Sequence, residues 1–421
     1  MKNIMKRLFS QSLACNSLLV FFGAMIANIG SYLYHLVIGR ILGPSGYGEL
    51  SSLISLLYIF SVPTTVLQTV LIKYFSTCKA SDSSGQAKYL FRKMTKTLIT
   101  VLVPLFAFLW ISSPLVADFL HLSGPRVVFW VFSIFVITTL TALNISVVQG
   151  FQLFIWYAAL TAGGSLLKLI LSIPFAYQGV EMTMVASFLM TLILYILFFI
   201  PLRFMFSSKE ERMNITKKDI VTYSLPTFFT LLGMTALYSM DIVLVKHYLS
   251  AFDAGIYSSV AVLGKVIFYA SSAIGTVLFP VIAERFAKKS DTSALIRLSI
   301  ILVTTISLGV TLLYSVFPRI IVYLLFGNSF NAASEYLGIF AIFITLYSIV
   351  NIIALACLAT EKMYVYLFTC MAALMQTICI VLYHESLRSI MYINIGVTLA
   401  LLVGIGGYFW YDKNKHYNPG L

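Results

Sequence analysis

Long apolar stretches recur from one end of the chain to the other, and only short polar breaks separate them. Hydrophobic residues occupy 60% of the 421 positions and charged residues only 10%, and the mean hydropathy is +0.95. A soluble domain carries about a quarter charged residues, and it has too little interior to bury this much apolar surface. The sequence therefore predicts an all-α integral membrane protein with almost no soluble domain.

A membrane-spanning helix needs about 20 consecutive, mostly apolar residues. Turn and charge signals divide the chain into segments of about this length. The predicted spans are 14–42, 49–74, 94–117, 127–149, 153–176, 180–202, 220–249, 256–283, 297–324, 332–357, 363–383 and 390–411. A charged break near the middle separates six spans from six. We therefore expect an N-terminal six-helix lobe at 1–206, a cytoplasmic linker at 207–219 and a C-terminal six-helix lobe at 220–421.

The 28 Lys and Arg residues are distributed unevenly over the breaks. With both termini placed in the cytoplasm, 21 of them fall in cytoplasmic segments, 5 in outer segments and 2 within spans. Membrane proteins retain Lys and Arg on the cytoplasmic side, so the net charge of +13 indicates orientation and not a nucleic-acid partner. The five outer basic residues are Arg40, Arg126, Lys246, Arg319 and Arg388.

The sequence lacks the motifs of familiar enzymes and metal sites. Its five cysteines form no CxxC pair, and no HExxH, GxSxG or paired-carboxylate cluster occurs. Gly264-Lys265 lacks the upstream glycine and the following Ser or Thr of a phosphate-binding loop. We therefore predict no catalytic residue, no metal and no cofactor, and we expect that the protein is not an enzyme.

Two segments that lie 207 positions apart resemble one another. Leu42, Gly48, Ser51 and Ser52 align with Leu249, Gly255, Ser258 and Ser259. Each segment follows the first predicted span of its half, which predicts that the two halves are related. In transporters built from repeated halves, substrate sites lie between the repeats.

The first of these segments reads Arg40-x-Leu42-Gly43-Pro44-x-x-Tyr47-Gly48. It resembles the signature of polysaccharide flippases, including O-antigen and capsule repeat-unit flippases, in the multidrug/oligosaccharidyl-lipid/polysaccharide exporter superfamily. The resemblance covers the whole chain in topology and these segments in motif. We interpret Gly43, Tyr47 and Gly48 as a tight outer turn, because glycine supplies unusual backbone angles. Direct substrate contact is the alternative.

The resemblance also implies an architecture and a function. It implies two six-helix lobes around a central cavity, in a multi-pass protein of the bacterial cytoplasmic membrane. The implied substrate is an undecaprenyl-diphosphate-linked oligosaccharide, moved to the outer leaflet by alternating access for cell-surface polysaccharide biosynthesis. Membrane lipids and polysaccharide-assembly proteins are the implied partners.

Four ionisable side chains fall inside predicted spans: His35, Lys168, Asp241 and Lys265. A charge at mid-bilayer costs on the order of 3 kcal/mol or more, so each needs a reason. All four lie roughly 11–14 Å from the outer end of their spans, at about 1.5 Å per residue. Polar residues share a helix face with most of them, which predicts a polar cavity lined by cationic groups.

Each charge has more than one interpretation. Lys168 and Lys265 would attract a diphosphate or an acidic sugar, with Arg40 adding positive potential near the outer mouth. Asp241 and Lys265 lie at matched depth in consecutive antiparallel spans. They either form a structural pair or act on the substrate or a coupling ion, H⁺ or Na⁺. His35 is either a proton relay or a packing residue.

Two other functions compete with the flippase. A multidrug or small-solute exporter of the same superfamily would favour acidic residues in its cavity, whereas the spans hold two Lys against one Asp. A membrane polysaccharide polymerase or glycosyltransferase would need a substantial outer loop, and all outer loops predicted here are short.

Overall fold

The computed structural model describes residues 2–212, 217–288, 292–360 and 362–417. In these ranges the chain forms α-helices and one 3₁₀ helix, Asn328–Glu335, without any strand. The helices are α1 (Lys2–Ala80), α2 (Ser84–Ile111), α3 (Ser113–Phe119), α4 (Pro125–Gly150), α5 (Phe154–Ala176), α6 (Val180–Leu197), α7 (Arg203–Phe206), α8 (Lys217–Leu237), α9 (Met240–Tyr248), α10 (Ala251–Ala287), α11 (Ser293–Val316), α12 (Pro318–Phe326), α13 (Leu337–Ala359), α14 (Val365–Leu382) and α15 (Leu387–Tyr417). The predicted all-α fold is confirmed.

The number of membrane spans agrees with the sequence. Among the described residues, 10 helices are long and apolar enough to cross a membrane, and the bent pair α8–α9 makes 11. One of the 10 is the 62-residue stretch Leu19–Ala80, which as a straight helix would be about 93 Å long, roughly three times the bilayer core. Gly43, with φ 66° and ψ 177°, interrupts α1. When the two parts of α1 are counted as separate spans, the total is the predicted twelve spans.

Three predicted spans contain breaks that were not predicted from the sequence. The span 94–117 divides into α2 and α3, 297–324 divides into α11 and α12, and 220–249 divides into α8 and α9, which are bent by 41°. Pro114 and Pro318 follow the first two breaks within the first turn of the next helix. Proline lacks the N–H that would continue the preceding helix, whereas the first turn of a new helix accepts it.

Helix boundaries repeat along the chain with the period of the motif. Three pairs of boundaries are each 207 positions apart: the ends of α1 and α10 at Ala80 and Ala287, the ends of α3 and α12 at Phe119 and Phe326, and the starts of α6 and α15 at Val180 and Leu387. In each half a short helix, α3 or α12, follows a long one. The two halves therefore repeat the same succession of helices, which confirms that they are related.

The chain packs into two compact units. Unit 1 contains the residues up to Leu42 together with Pro63–Ile220, and unit 2 contains Gly43–Val62 together with the residues from Val221 onward. A short piece of α1 therefore packs with the second unit. The lobe boundaries predicted at 207–219 stay a prediction, and residues 213–216 of that linker lie outside the described residues.

Helix α11 shows how the side chains are distributed. Its Ile301, Leu308 and Leu312 are 60%, 55% and 65% exposed, whereas Ser307 and Thr311 are buried. A soluble helix would have the opposite distribution. Apolar side chains on the outside and hydroxyls on the inside are expected of a helix that is surrounded by lipid, since lipid offers polar groups no hydrogen bonds.

Candidate functional site

Asp241 lies at the start of α9, immediately after the bend between α8 and α9. It is completely buried. Its Oδ1 accepts a hydrogen bond from the backbone N–H of Ile242 at 2.8 Å. Its Oδ2 accepts hydrogen bonds from the Tyr257 hydroxyl at 2.5 Å and from Asn394 Nδ2 at 3.1 Å. The bend leaves the amides at the start of α9 without helical partners, and such a helix start favours a carboxylate.

Uncharged side chains from three other helices extend this group. Asn394 Nδ2 also lies 2.8 Å from the Tyr257 hydroxyl oxygen. Gln376 Nε2 donates to Asn394 Oδ1 at 2.7 Å and to the carbonyl oxygen of Leu237, the last residue of α8, at 2.9 Å. Side chains of α10, α14 and α15 thus converge on the α8–α9 bend. We call Asp241, Tyr257, Gln376 and Asn394 the Asp241 network.

Three buried oxygens at or next to this network have no hydrogen-bond partner within the described part of the chain. They are Gln376 Oε1, which belongs to the network, and Ser239 Oγ and Ser258 Oγ, which are close to Asp241 and Tyr257 in sequence. A buried polar atom that makes no hydrogen bond costs about 1–3 kcal/mol. Carboxylate, amide and hydroxyl oxygens are groups that can bind a hard cation or take part in proton transfer.

Lys265 lies on α10 and is only 8% exposed. Its ammonium nitrogen lies 4.8 Å from the centre of the Tyr58 ring and 5.4 Å from that of Tyr238. Aromatic faces attract cations. Within the described residues no hydrogen bond or ion pair joins Lys265 to Asp241, although the two charges are close enough to interact electrostatically.

Lys168 lies on α5 in unit 1, where it is half-buried. Its ammonium nitrogen lies 4.2 Å from the centre of the Tyr34 ring. Tyr34 is buried, and its hydroxyl lies 3.4 Å from Ser187 Oγ. The structure shows no carboxylate in ion-pair contact with Lys168 in the ranges it describes. An aromatic ring therefore contacts both Lys168, which is half-buried, and Lys265, which is buried.

The other predicted residues lie near the outer part of α1. His35 is half-buried, and its ring packs edge-on against Tyr34 with centroids 5.5 Å apart. Arg40 is exposed. The structure thus brings Lys168, His35 and Tyr34 together in unit 1, and it places Asp241 and Lys265 in the same region of unit 2. The roles of these residues stay predictions.

The family-motif residues form a densely packed segment. Gly43 interrupts α1 with a positive φ that side chains rarely adopt. Tyr47 is completely buried and packs against Phe326 and Phe330, with centroid distances of 5.5 and 6.1 Å. A Cβ on Gly48 would lie 2.6 Å from the backbone nitrogen of Gly255. These contacts favour a structural role over substrate contact.

The uncharged members of both groups were not predicted. Asn394 and Gln376 could have been found, because amides are uncommon in apolar spans and usually make hydrogen bonds there. Tyr34, Tyr58, Tyr238 and Tyr257 gave no signal, since tyrosine is abundant near membrane interfaces for other reasons. Only the folded chain shows which of its 25 tyrosines contact a charge.

The repeated helices and the buried charges in each half define a polytopic membrane protein with a transporter fold. Solved structures of other membrane proteins have the same fold. An inward-facing multidrug resistance MATE family transporter of the MOP superfamily superposes with a TM-score of 0.71 at 15% identity, over 91% of this chain and 94% of that one. Lipid II flippase MurJ, in an inward closed conformation, superposes with a TM-score of 0.67 at 12% identity, over 95% of this chain and 87% of that one. An outward-facing multidrug resistance MATE family transporter superposes with a TM-score of 0.63 at 16% identity, over 96% of each chain.

The sequence itself carries the family assignment. The profile of the family described as "Polysaccharide biosynthesis protein" matches residues 107–335, which is more than half of the chain. The chain belongs to this polysaccharide biosynthesis protein family. Among functionally curated proteins, none is significantly similar in sequence. The predicted resemblance to a family of polysaccharide biosynthesis proteins is confirmed, and the predicted fold is shared with the superposed structures.

Proposed function

We propose that this protein is a flippase for undecaprenyl-diphosphate-linked oligosaccharide repeat units, which it moves across the bacterial cytoplasmic membrane by alternating access. The transported units would supply a cell-surface polysaccharide such as O-antigen or capsule. Family membership supports the polysaccharide pathway, and the fold supports transport. The observation that carries the proposal is that, among the described residues, Lys168 and Lys265 contact aromatic rings and form no ion pair with a carboxylate.

The lysine environments favour an anionic substrate. A lysine that is paired with a carboxylate has little charge left for a ligand, whereas a cation–π contact leaves the full positive charge in place. Such a contact is worth about 0.5–2 kcal/mol, less than the cost of removing an ammonium group from water. A diphosphate that reaches Lys168 or Lys265 would supply the missing negative charge.

The Asp241 network supports ion coupling. Its carboxylate lies at a helix break, which is where many transporters bind coupling ions. We propose that Asp241 binds H⁺ or Na⁺, and that Gln376 Oε1 and Ser239 Oγ are available as further oxygen ligands. His35, next to Tyr34 and Lys168, is the second candidate for a proton-responsive group.

A small-solute or multidrug exporter is the second candidate function. The TM-score of 0.71 to a multidrug resistance MATE family transporter favours it, but at 15% identity this likeness shows the fold alone. The family match and the two lysines, which form no ion pair in the part of the chain that the structure describes, favour the lipid-linked saccharide. We further propose that both termini lie in the cytoplasm and that polysaccharide-assembly proteins receive the product.

A leaflet assay tests the proposal. Cells depleted of the protein are converted to right-side-out and inside-out vesicles, and a membrane-impermeant lectin measures the lipid-linked oligosaccharide on each side. We expect the saccharide to accumulate on the cytoplasmic side after depletion. An unchanged distribution together with increased drug sensitivity would instead assign the protein to the exporters.

A further inference from the structure

Two open grooves lie at the ends of the spans that the charge count assigns to the outer face. The groove in unit 1 has a volume of about 580 Å³ and lies where α2 ends and α3 and α4 begin. The groove in unit 2 has a volume of about 880 Å³ and lies between α12 and the 3₁₀ helix. We call them groove 1 and groove 2. Groove 1 is lined by Trp110, Ile111, Ser113, Pro114, Pro125, Arg126 and Phe129.

The two grooves occupy related places and have related linings. Each lies against the short helix that follows a long one in its half, and these helices, α3 and α12, end 207 positions apart. Each groove contains one arginine, Arg126 or Arg319, and each also contains an isoleucine, at least one proline, a serine and an aromatic ring. The grooves thus lie beside related helices and have similar linings, but their arginines occupy different positions of the repeat, since Arg126 aligns with Ala333 and Arg319 with Ser112.

The arginines are unusual for this side of the membrane. Arg126 and Arg319 are two of only five basic residues in the predicted outer segments, where membrane proteins carry few of them. Both are exposed, and neither forms an ion pair in the ranges that the structure describes. The described lining of groove 1 contains no carboxylate. Groove 2 contains one carboxylate, Glu335, which lies 3.6 Å from Arg388 and forms no ion pair with Arg319 in the described ranges.

The surroundings of the grooves are apolar and exposed. Ile111 and Leu115 beside groove 1 are 78% and 73% exposed, and Ile320 and Leu324 beside groove 2 are 64% and 68% exposed. Such side chains contact acyl chains in a membrane protein. Trp110 and Tyr323 are also exposed, and these residue types concentrate at the level of lipid headgroups. Both grooves therefore open toward the headgroup region of the outer leaflet.

We propose that each groove binds the phosphate headgroup of a membrane phospholipid in the outer leaflet. The guanidinium of Arg126 or Arg319 matches the oxygens of a phosphate through two parallel hydrogen bonds. Ser113 in groove 1, and Ser334 with Asn331 in groove 2, supply further polar groups. A single transported lipid would not require two similar sites, whereas an abundant phospholipid faces both units at once.

Native mass spectrometry of the delipidated protein, titrated with phosphatidylglycerol, tests this site. We expect two tightly bound lipids on the unchanged protein, one on Arg126→Gln or Arg319→Gln, and none on the double variant. Losing a charge-assisted hydrogen bond to phosphate corresponds to roughly tenfold weaker binding or more. Arg319→Lys should bind more lipid than Arg319→Gln. Lys93→Gln is the matched control, because it removes an exposed basic residue from the cytoplasmic part of α2 and should change nothing.

Three results would overturn the proposal. One is an unchanged number of bound lipids on the double variant. Another is equal binding of diacylglycerol, which has no phosphate. The third is a preference of the same arginines for undecaprenyl diphosphate over phosphatidylglycerol, which would assign the grooves to the transported lipid. None of these measurements depends on transport, so the flippase proposal succeeds or fails separately.

Discussion

Gly48 and Gly255 face one another where two related segments of the chain pack closely within unit 2. A Cβ on Gly48 would lie 2.6 Å from the Gly255 nitrogen, and a Cβ on Gly255 would overlap the carbonyl oxygen of Pro44. The two glycines are equivalent positions of the internal repeat, 207 residues apart. Each half thus contributes the same small residue to a backbone-to-backbone contact that no larger residue permits.

This contact predicts a strong effect of a single methyl group. Gly255→Ala must displace backbone atoms of the Gly43–Val62 segment, so we expect destabilisation by about 1–3 kcal/mol, measured as a lower melting temperature in detergent. Gly309→Ala is the control, because a Cβ there meets no atom within 4 Å and alanine favours the helix. Equal melting temperatures for both variants would contradict the packing described here.

The cationic lysines predict a loss of polymer without a loss of protein. Lys168→Ala and Lys265→Ala each remove an ammonium group that no carboxylate neutralises in the described structure. We expect surface polysaccharide to fall about tenfold for each variant, at normal abundance in the membrane. Lys→Arg at either position should retain part of the output, because the charge remains. Normal polymer from the double alanine variant would refute the cationic site.

The ring beneath Lys168 predicts a difference between two substitutions. Tyr34→Phe keeps the aromatic face and removes only the hydroxyl, which makes a long contact of 3.4 Å with Ser187. Tyr34→Leu removes the face and with it about 0.5–2 kcal/mol of cation–π attraction. We expect near-normal transport for Tyr34→Phe and a roughly 2- to 30-fold lower rate for Tyr34→Leu.

The comparison also separates function from folding. Melting temperatures of the two Tyr34 variants show whether the leucine also loosens the packing. Equal transport by Tyr34→Leu and Tyr34→Phe would show that the ring does not matter to Lys168.

The Asp241 network predicts a loss of ion dependence. Asp241→Asn keeps the size of the side chain but removes the negative charge that Tyr257 and Asn394 contact. In vesicles with an imposed Na⁺ or proton gradient, we expect the unchanged protein to transport faster and the variant to show equal rates with and without the gradient. Asp118→Asn, an exposed site, is the matched control. A variant that still responds to the gradient would exclude Asp241 as the coupling residue.

Much of the fold could be predicted because hydropathy and charge act locally. An apolar stretch such as 127–149 must enter the bilayer wherever it lies in the sequence, and the structure has α4 at Pro125–Gly150. The breaks near Ser112 and Phe317 were missed, since window-averaged hydropathy does not report backbone geometry. The bend before Asp241 was missed for the same reason.

The candidate site could be predicted only in its charged members. Lys168, Asp241 and Lys265 stand out in apolar spans because burying a charge in a membrane is costly. Their partners did not stand out. The sequence left open whether Asp241 pairs with Lys265, and the folded chain gives Asp241 hydrogen bonds from Tyr257 and Asn394 instead.

The sequence by itself determined the membrane environment, the number of spans and the repeat of 207 residues, because these follow from local composition and from the order of residues. The tertiary structure alone decided which side chains meet. Asn394 contacts Asp241 across 153 positions, and Gly48 meets Gly255 only because the two segments pack against each other. Contacts between residues so distant in sequence depend on how whole helices pack, and no local pattern contains that information.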